Sequence, residues 1–168
     1  MKTIFWVLVA LPLFTLAQKP VATSAVEVKG EIKSAFTFSI EDLKKLKEHT
    51  IGDLTITNHL GEKKSEAKAL KGVLLKEVLQ TVEITAPSPR QLSEYFLVCK
   101  ASDGYAVVYS WNELFNSPSG EAIFVVTQKE GKPAAEMTES ILLVAPKDYK
   151  TGRRYLKSLA SITIFRAP

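Results

Sequence analysis

One cysteine, Cys99, and two histidines, His49 and His59, are all the thiol and imidazole groups that 168 residues offer. A lone thiol forms no internal disulfide, so packing alone must hold the fold. The histidines are too far apart for an i, i+4 pair on a helix and have no Cys-x-x-Cys beside them, whereas a zinc site needs at least three protein ligands. Both are read as structural or solvated. There is no G-x-S-x-G elbow, no P-loop and no G-x-G-x-x-G, and neither histidine has a neighbour suited to nucleophilic catalysis. No catalytic residue and no metal ligand is assigned. Single-sign charge is missing too: 22 basic residues face 18 acidic ones, and in "EDLKKLKEH" and "GEKKSEAKALK" they interleave. This describes a solvated surface and excludes a nucleic-acid tract.

Long apolar runs are confined to the N-terminus. Lys2 is followed by "IFWVLVALPLFTLA", ending in the small residue Ala17 before Gln18 and Lys19. The run is shorter than the roughly 18 residues a spanning helix needs, and Pro12 interrupts it. Residues 1 to 17 therefore read as a secretory signal peptide. No cysteine follows to accept a lipid, and no later segment is fit to span a bilayer. The expected product is exported, periplasmic or secreted, without a membrane span. Its residues 18 to 168, about 150 in number, suffice for one domain that buries roughly 68 to 70% of its unfolded surface.

Pattern supplies the elements. "VEVKGEIKSAFTFSI" is rich in β-branched and aromatic residues and reads as extended. Ser39 opens a short helix with Asp42 at the place where a capping box has Glu or Gln. Alternation in "TIGDLTITNH", followed by the turn "LGEKK", predicts a hairpin over 53 to 69. In "LKGVLLKEVLQTV" the residues Leu75, Val78, Leu79 and Val82 fall at i, i+3, i+4 and i+7, predicting the best helix of the chain. Pro87 and Pro89 make a loop. Ser110 with Glu113 is a capping box for a short helix holding Trp111 and Leu114. "EAIFVVTQ", "SILLVAP" and "SITIFRAP" are further strands. Strands exceed helices and mix with them, so the fold class is α+β, mixed β-sheets with a few short helices.

The chemistry of Cys99 depends on register. Asp103-Gly104 signals a two-residue type I′ turn, because both central residues of that turn need positive φ. Such a turn pairs Cys99 with Val108 and Ala101 with Ala106, placing Leu97, Cys99, Ala101, Ala106 and Val108 on one apolar face. Val98, Lys100, Val107 and Tyr109 fall on the other. A thiol in apolar surroundings has its pKa raised, so Cys99 is expected to be an inert core thiol. Ser102, Asp103 and Tyr105 stand at the hairpin tip, where they could line a cleft.

Charge is least even in "PKDYKTGRRYLKS". Lys147, Lys150, Arg153, Arg154 and Lys157 there face one acid, Asp148. Thr151 and Gly152 are placed to cap a helical turn starting at Arg153, which would direct backbone N–H groups and guanidinium forks at one phosphate, sulfate or carboxylate. A solvated basic face is the alternative.

The order of "KGEIKSAFTFSIEDLKKL", "LKGVLLKEVLQ", "CKASDGYAVVYSWNEL" and "ILLVAPKDYKTGRRYLKSLASITI" resembles the small stand-alone members of the oxidoreductase molybdopterin-binding domain family, whose fold is that of the sulfite oxidase catalytic domain. Gly72, the Ser102-Asp103-Gly104-Tyr105 turn, and Pro146, Asp148, Arg153 and Arg154 before a final strand carry the likeness, which spans nearly all of residues 18 to 168. It implies molybdopterin as the cofactor to consider. In the catalytic members a loop cysteine in the first half of the domain ligates molybdenum. Here no cysteine precedes Cys99, and of the arginines that hold the cofactor and substrate oxyanion only Arg90, Arg153, Arg154 and Arg166 exist to be compared.

Three readings follow. The first is an exported, non-catalytic binder of a small anionic or pterin-like ligand, with Ser102, Asp103, Tyr105, Lys147, Asp148, Arg153 and Arg154 as its ligand-binding residues. The second is a molybdopterin-dependent oxidoreductase, or a subunit of one, in which a partner chain or an atypical ligand completes the site. The third is an interaction module that docks another envelope protein without a small ligand.

Overall fold

A computed structural model describes residues 21 to 168. The signal peptide expected over residues 1 to 17 lies outside the described residues. In chain order the elements are β1 (Ala25–Gly30), β2 (Phe36–Ser39), α1 (Ile40–Leu43), β3 (His49–Thr57), β4 (Lys63–Leu74), α2 (Leu75–Val78), β5 (Tyr95–Ala101), β6 (Ala106–Ser110) and α3 (Trp111–Phe115). These are followed by β7 (Phe124–Lys129), β8 (Lys132–Pro133), β9 (Leu142–Val144) and β10 (Leu159–Arg166). Four short 3-10 turns lie between them, the last at Thr151–Arg154. The α+β expectation holds, with a few one-turn helices and two sheets, but only one sheet is mixed and the other is antiparallel throughout.

One sheet runs β2-β1-β10-β5-β6, and the parallel pairing of β1 with β10 brings the start and end of the described chain side by side. The other runs β3-β4-β7-β8, with β9 also on β7. Alternation along the strands accounts for two layers of core. Val73, Val125 and Leu143 turn towards the first sheet, where Val28, Leu97, Cys99 and Ile162 meet them. Their neighbours Val126, Leu142 and Val144 turn the other way and pack with Leu54, Leu70 and Met137. The second sheet is thus apolar on both faces.

Two local expectations hold and one fails. Ser39 caps α1, and Asp42 completes the box, its carboxylate accepting the Ser39 N–H at 3.0 Å. The β3–β4 hairpin forms and extends beyond 53 to 69 at both ends. The long helix over residues 70 to 82 does not form: Lys71 to Leu74 pair with β7, and only Leu75–Val78 are α-helical. Pairing outweighs periodicity here because Gly72 lets the strands close. A Cβ on it would sit 2.6 Å from the Val125 carbonyl oxygen, so the strand fits where a bulkier residue would clash. Leu75, Val78 and Leu79 are still buried, as their spacing requires.

Candidate functional site: a neutralised arginine beside an open basic loop

The β5–β6 turn differs from the expected one. Gly104 alone takes positive φ, +90°, while Asp103 does not. The Gly104 N–H donates to the Ala101 carbonyl at 3.1 Å and the Ala101 N–H to that of Tyr105 at 2.8 Å, closing a three-residue loop. Register shifts by one: Cys99 faces Val107, and Lys100 faces Ala106. Tyr109 and Val107 therefore enter the core, and Val108 and Ala106 leave it. The reading of Cys99 survives because β5, not β6, sets its direction. It is 0% exposed between Ile162 and Val107, and burial pushes its thiol up to about 12.

At the tip, each polar side chain has local work. Ser102 Oγ donates to the Val21 carbonyl at 2.7 Å and accepts the Val21 N–H at 2.9 Å. Asp103 Oδ1 accepts the Tyr105 N–H at 2.9 Å. Tyr105, half exposed, donates its hydroxyl to the Arg153 carbonyl at 2.6 Å. That bond joins the hairpin tip to the basic loop.

The loop is pinned to the opposite sheet. Thr151 Oγ1 donates to the Thr55 carbonyl at 2.6 Å and accepts the Thr57 N–H at 3.1 Å, while Lys150 Nζ reaches the His59 carbonyl at 2.5 Å. Gly152 rests against Thr57, whose carbonyl oxygen would be 2.1 Å from an added Cβ. Thr151 and Gly152 do not cap a turn starting at Arg153: the turn begins at Thr151, and the threonine hydroxyl is spent on β3.

The adjacent arginines have opposite surroundings. Arg154 is held by two carboxylates: its Nε donates to Asp148 Oδ2 at 2.7 Å, its Nη2 to Asp148 Oδ1, and its Nη1 to Glu113 Oε1 at 2.7 Å. The guanidinium also lies over the Tyr109 ring, 4.6 Å from the centroid. These hydrogen bonds, Asp148's first, raise its pKa further. Burial raises the Tyr109 phenol as well, and its hydroxyl has no partner among the described residues. Lys147 and Arg153 have no carboxylate in ion-pair range among the described residues. With Asp148, Tyr149, Lys150 and Arg154 they line a concavity of about 610 Å³. A second cleft, about 290 Å³, lies between Asp103, Tyr105, Gly152, Tyr155 and Lys157.

Of the sequence-derived residues, Asp103 and Tyr105 line one cleft and Lys147, Asp148, Arg153 and Arg154 the other, joined by the Tyr105–Arg153 bond, whereas Ser102 lines neither and binds Val21 instead. Glu113 and Tyr109 were missed as partners of Arg154. Ser110 does cap α3, its Oγ accepting the Glu113 N–H at 2.9 Å, but the Glu113 carboxylate crosses to a residue distant in sequence, and no local pattern signals that. His49 stands on β3 with Nε2 3.7 Å from Glu77 Oε1, and no cluster of three metal-ligating side chains occurs among the described residues.

No family model matches the sequence. No curated protein matches it either. Structure gives a similarity: the sulfane dehydrogenase SoxCD from Paracoccus pantotrophus superposes with a TM-score of 0.60 at 12% identity, over 84% of this chain and 38% of that one. The fold is distantly molybdopterin-domain-like. The chain spans well under half of that neighbour's length, so the likeness concerns architecture alone. Residues that would hold molybdenum through sulfur do not fit the group, because the one thiol is sealed in the sheet. Lys147 and Arg153, by contrast, suit an anionic end such as a phosphate.

Proposed function

We propose that the chain is an exported binding domain that uses this fold to hold a small anion, or the anionic end of a pterin-like molecule, in the concavity between Lys147 and Arg153. One observation carries the reading: of the cations in the loop, Arg154 is paired with Asp148 and Glu113, whereas Lys147 and Arg153 line the same concavity with no carboxylate in ion-pair range of their own among the described residues. Unpaired cations on a pinned loop favour an anion, because the backbone that carries them is already ordered before binding. Export rests on the pattern of residues 1 to 17. Calorimetric titration with inorganic phosphate and sulfate tests the site. Lys147→Ala with Arg153→Ala is expected to weaken binding at least tenfold, and unchanged affinity refutes the assignment.

The second reading, a molybdopterin-dependent oxidoreductase or a subunit of one, draws on the fold shared with SoxCD. It needs a metal ligand from a partner chain or an atypical ligand of this one, since Cys99 is inaccessible. Molybdenum in stoichiometric amount in protein purified from its native compartment would favour it, and pterin without metal would favour the first.

A further inference from the structure

Two large apolar side chains protrude at one end of the molecule. Tyr149 is fully exposed and Leu60, at the apex of the β3–β4 turn, is 65% exposed. Neither sits on a loose tether. Asn58 Oδ1 accepts the N–H groups of Leu60 and Glu62 at 2.9 and 3.0 Å, which orders the turn. Lys150 Nζ bridges the two segments at the His59 carbonyl, and Thr151 fixes the loop to β3. Charge at this end is positive, from Lys147, Lys150 and Arg153. Two acids lie at this end: Asp148 is paired with Arg154, and Glu62, which accepts from Asn58 Nδ2 at 2.8 Å, keeps its charge, so the three cations outnumber the one acid without a cationic partner among the described residues.

We propose that this end docks on an anionic phospholipid bilayer, with Tyr149 and Leu60 entering the headgroup region and Lys147, Lys150 and Arg153 lying over the lipid phosphates. Tyrosine suits that depth because its ring is apolar and its hydroxyl stays wet. Basic residues near an anionic surface each contribute about a fivefold factor in partition, and salt screens them. No helix of the described residues is long and apolar enough to cross a membrane, so this contact would be peripheral.

The test is cosedimentation of the exported protein, residues 18 to 168, with vesicles of phosphatidylcholine alone or mixed in equal parts with phosphatidylglycerol. Binding is expected to the mixed vesicles only, to fall as salt rises, and to drop about tenfold in Leu60→Ser with Tyr149→Ser. Both side chains are exposed, so the unfolding midpoint of that variant should match the wild type. Absence of binding to the mixed vesicles, or undiminished binding by the variant, overturns the proposal. So does capture by an acidic protein with none by vesicles. Docking shares Lys147 and Arg153 with the anion site, yet the two fail separately. Leu60→Ser alone leaves the concavity intact, so it should weaken vesicle binding while phosphate affinity stays unchanged. Phosphate binding without vesicle binding would sink the docking and leave the anion site standing.

Discussion

Arg153 and Arg154 are consecutive, carry the same group and sit in the same 3-10 turn, yet one is a structural ion and the other a free one. Arg154 turns inward over Tyr109 and meets Asp148 and Glu113. Arg153 contributes its backbone carbonyl to Tyr105 and leaves its guanidinium at the concavity. A run of basic residues therefore does not measure the charge available to a ligand. What matters is which cations the fold has already matched with carboxylates, and that is set by residues far away in sequence.

The comparison breaks most visibly at Arg154. Arg154→Met removes the partner of two carboxylates that are less than a third exposed, and is expected to cost about 3 kcal/mol in urea unfolding, at the low end for breaking a buried pair because water still reaches it. Arg153→Met should stay within about 0.5 kcal/mol of wild type, as surface changes do. Equal losses in the two variants would abolish the distinction.

Next in size is the pin beneath the loop. Gly152→Ala drives a Cβ into the Thr57 carbonyl, and overpacking of that kind costs about 2 kcal/mol. The same variant should weaken phosphate binding, because Lys147 and Arg153 lose their fixed backbone; a stable variant with full affinity would show that the pinning is irrelevant to the site.

The smallest effect concerns the sealed thiol. Its pKa rises from about 9 to about 12 on folding, so between those values the unfolded chain has released a proton that the folded chain keeps. Stability from this group is complete below pH 9 and is lost as pH climbs towards 12, amounting to about 1 kcal/mol by pH 10. Tyr109 and Tyr155, both raised chiefly by burial, act in the same direction. Cys99→Ala should flatten the alkaline loss by that amount in denaturant titrations at pH 8 and pH 10, and an unaltered slope would mean the thiol is not sealed.

Much of this was legible in order along the chain. The capping residues Ser39 and Ser110, the β3–β4 hairpin, the strand carrying Cys99 and the α+β class depend on neighbours within a few residues, and local pattern reports local energetics. The β5–β6 register was not legible, because Asp103-Gly104 serves a two- or a three-residue loop equally well, and the choice turned on the φ of Asp103. Nor was the late start of the helix at Leu75, since pairing with β7 absorbed Lys71 to Leu74.

By itself the sequence determined composition-level facts: a lone thiol, no ligand cluster, a basic loop before the last strand, and the alternation that builds two sheets. Tertiary structure alone decided which of those basic residues remain available. Ion pairing is settled by distances of a few ångströms between side chains whose separation along the chain carries no signal, as with Glu113 and Arg154. A one-residue change of register was likewise enough to exchange Val108 for Tyr109 in the core, and with it the aromatic face on which Arg154 rests.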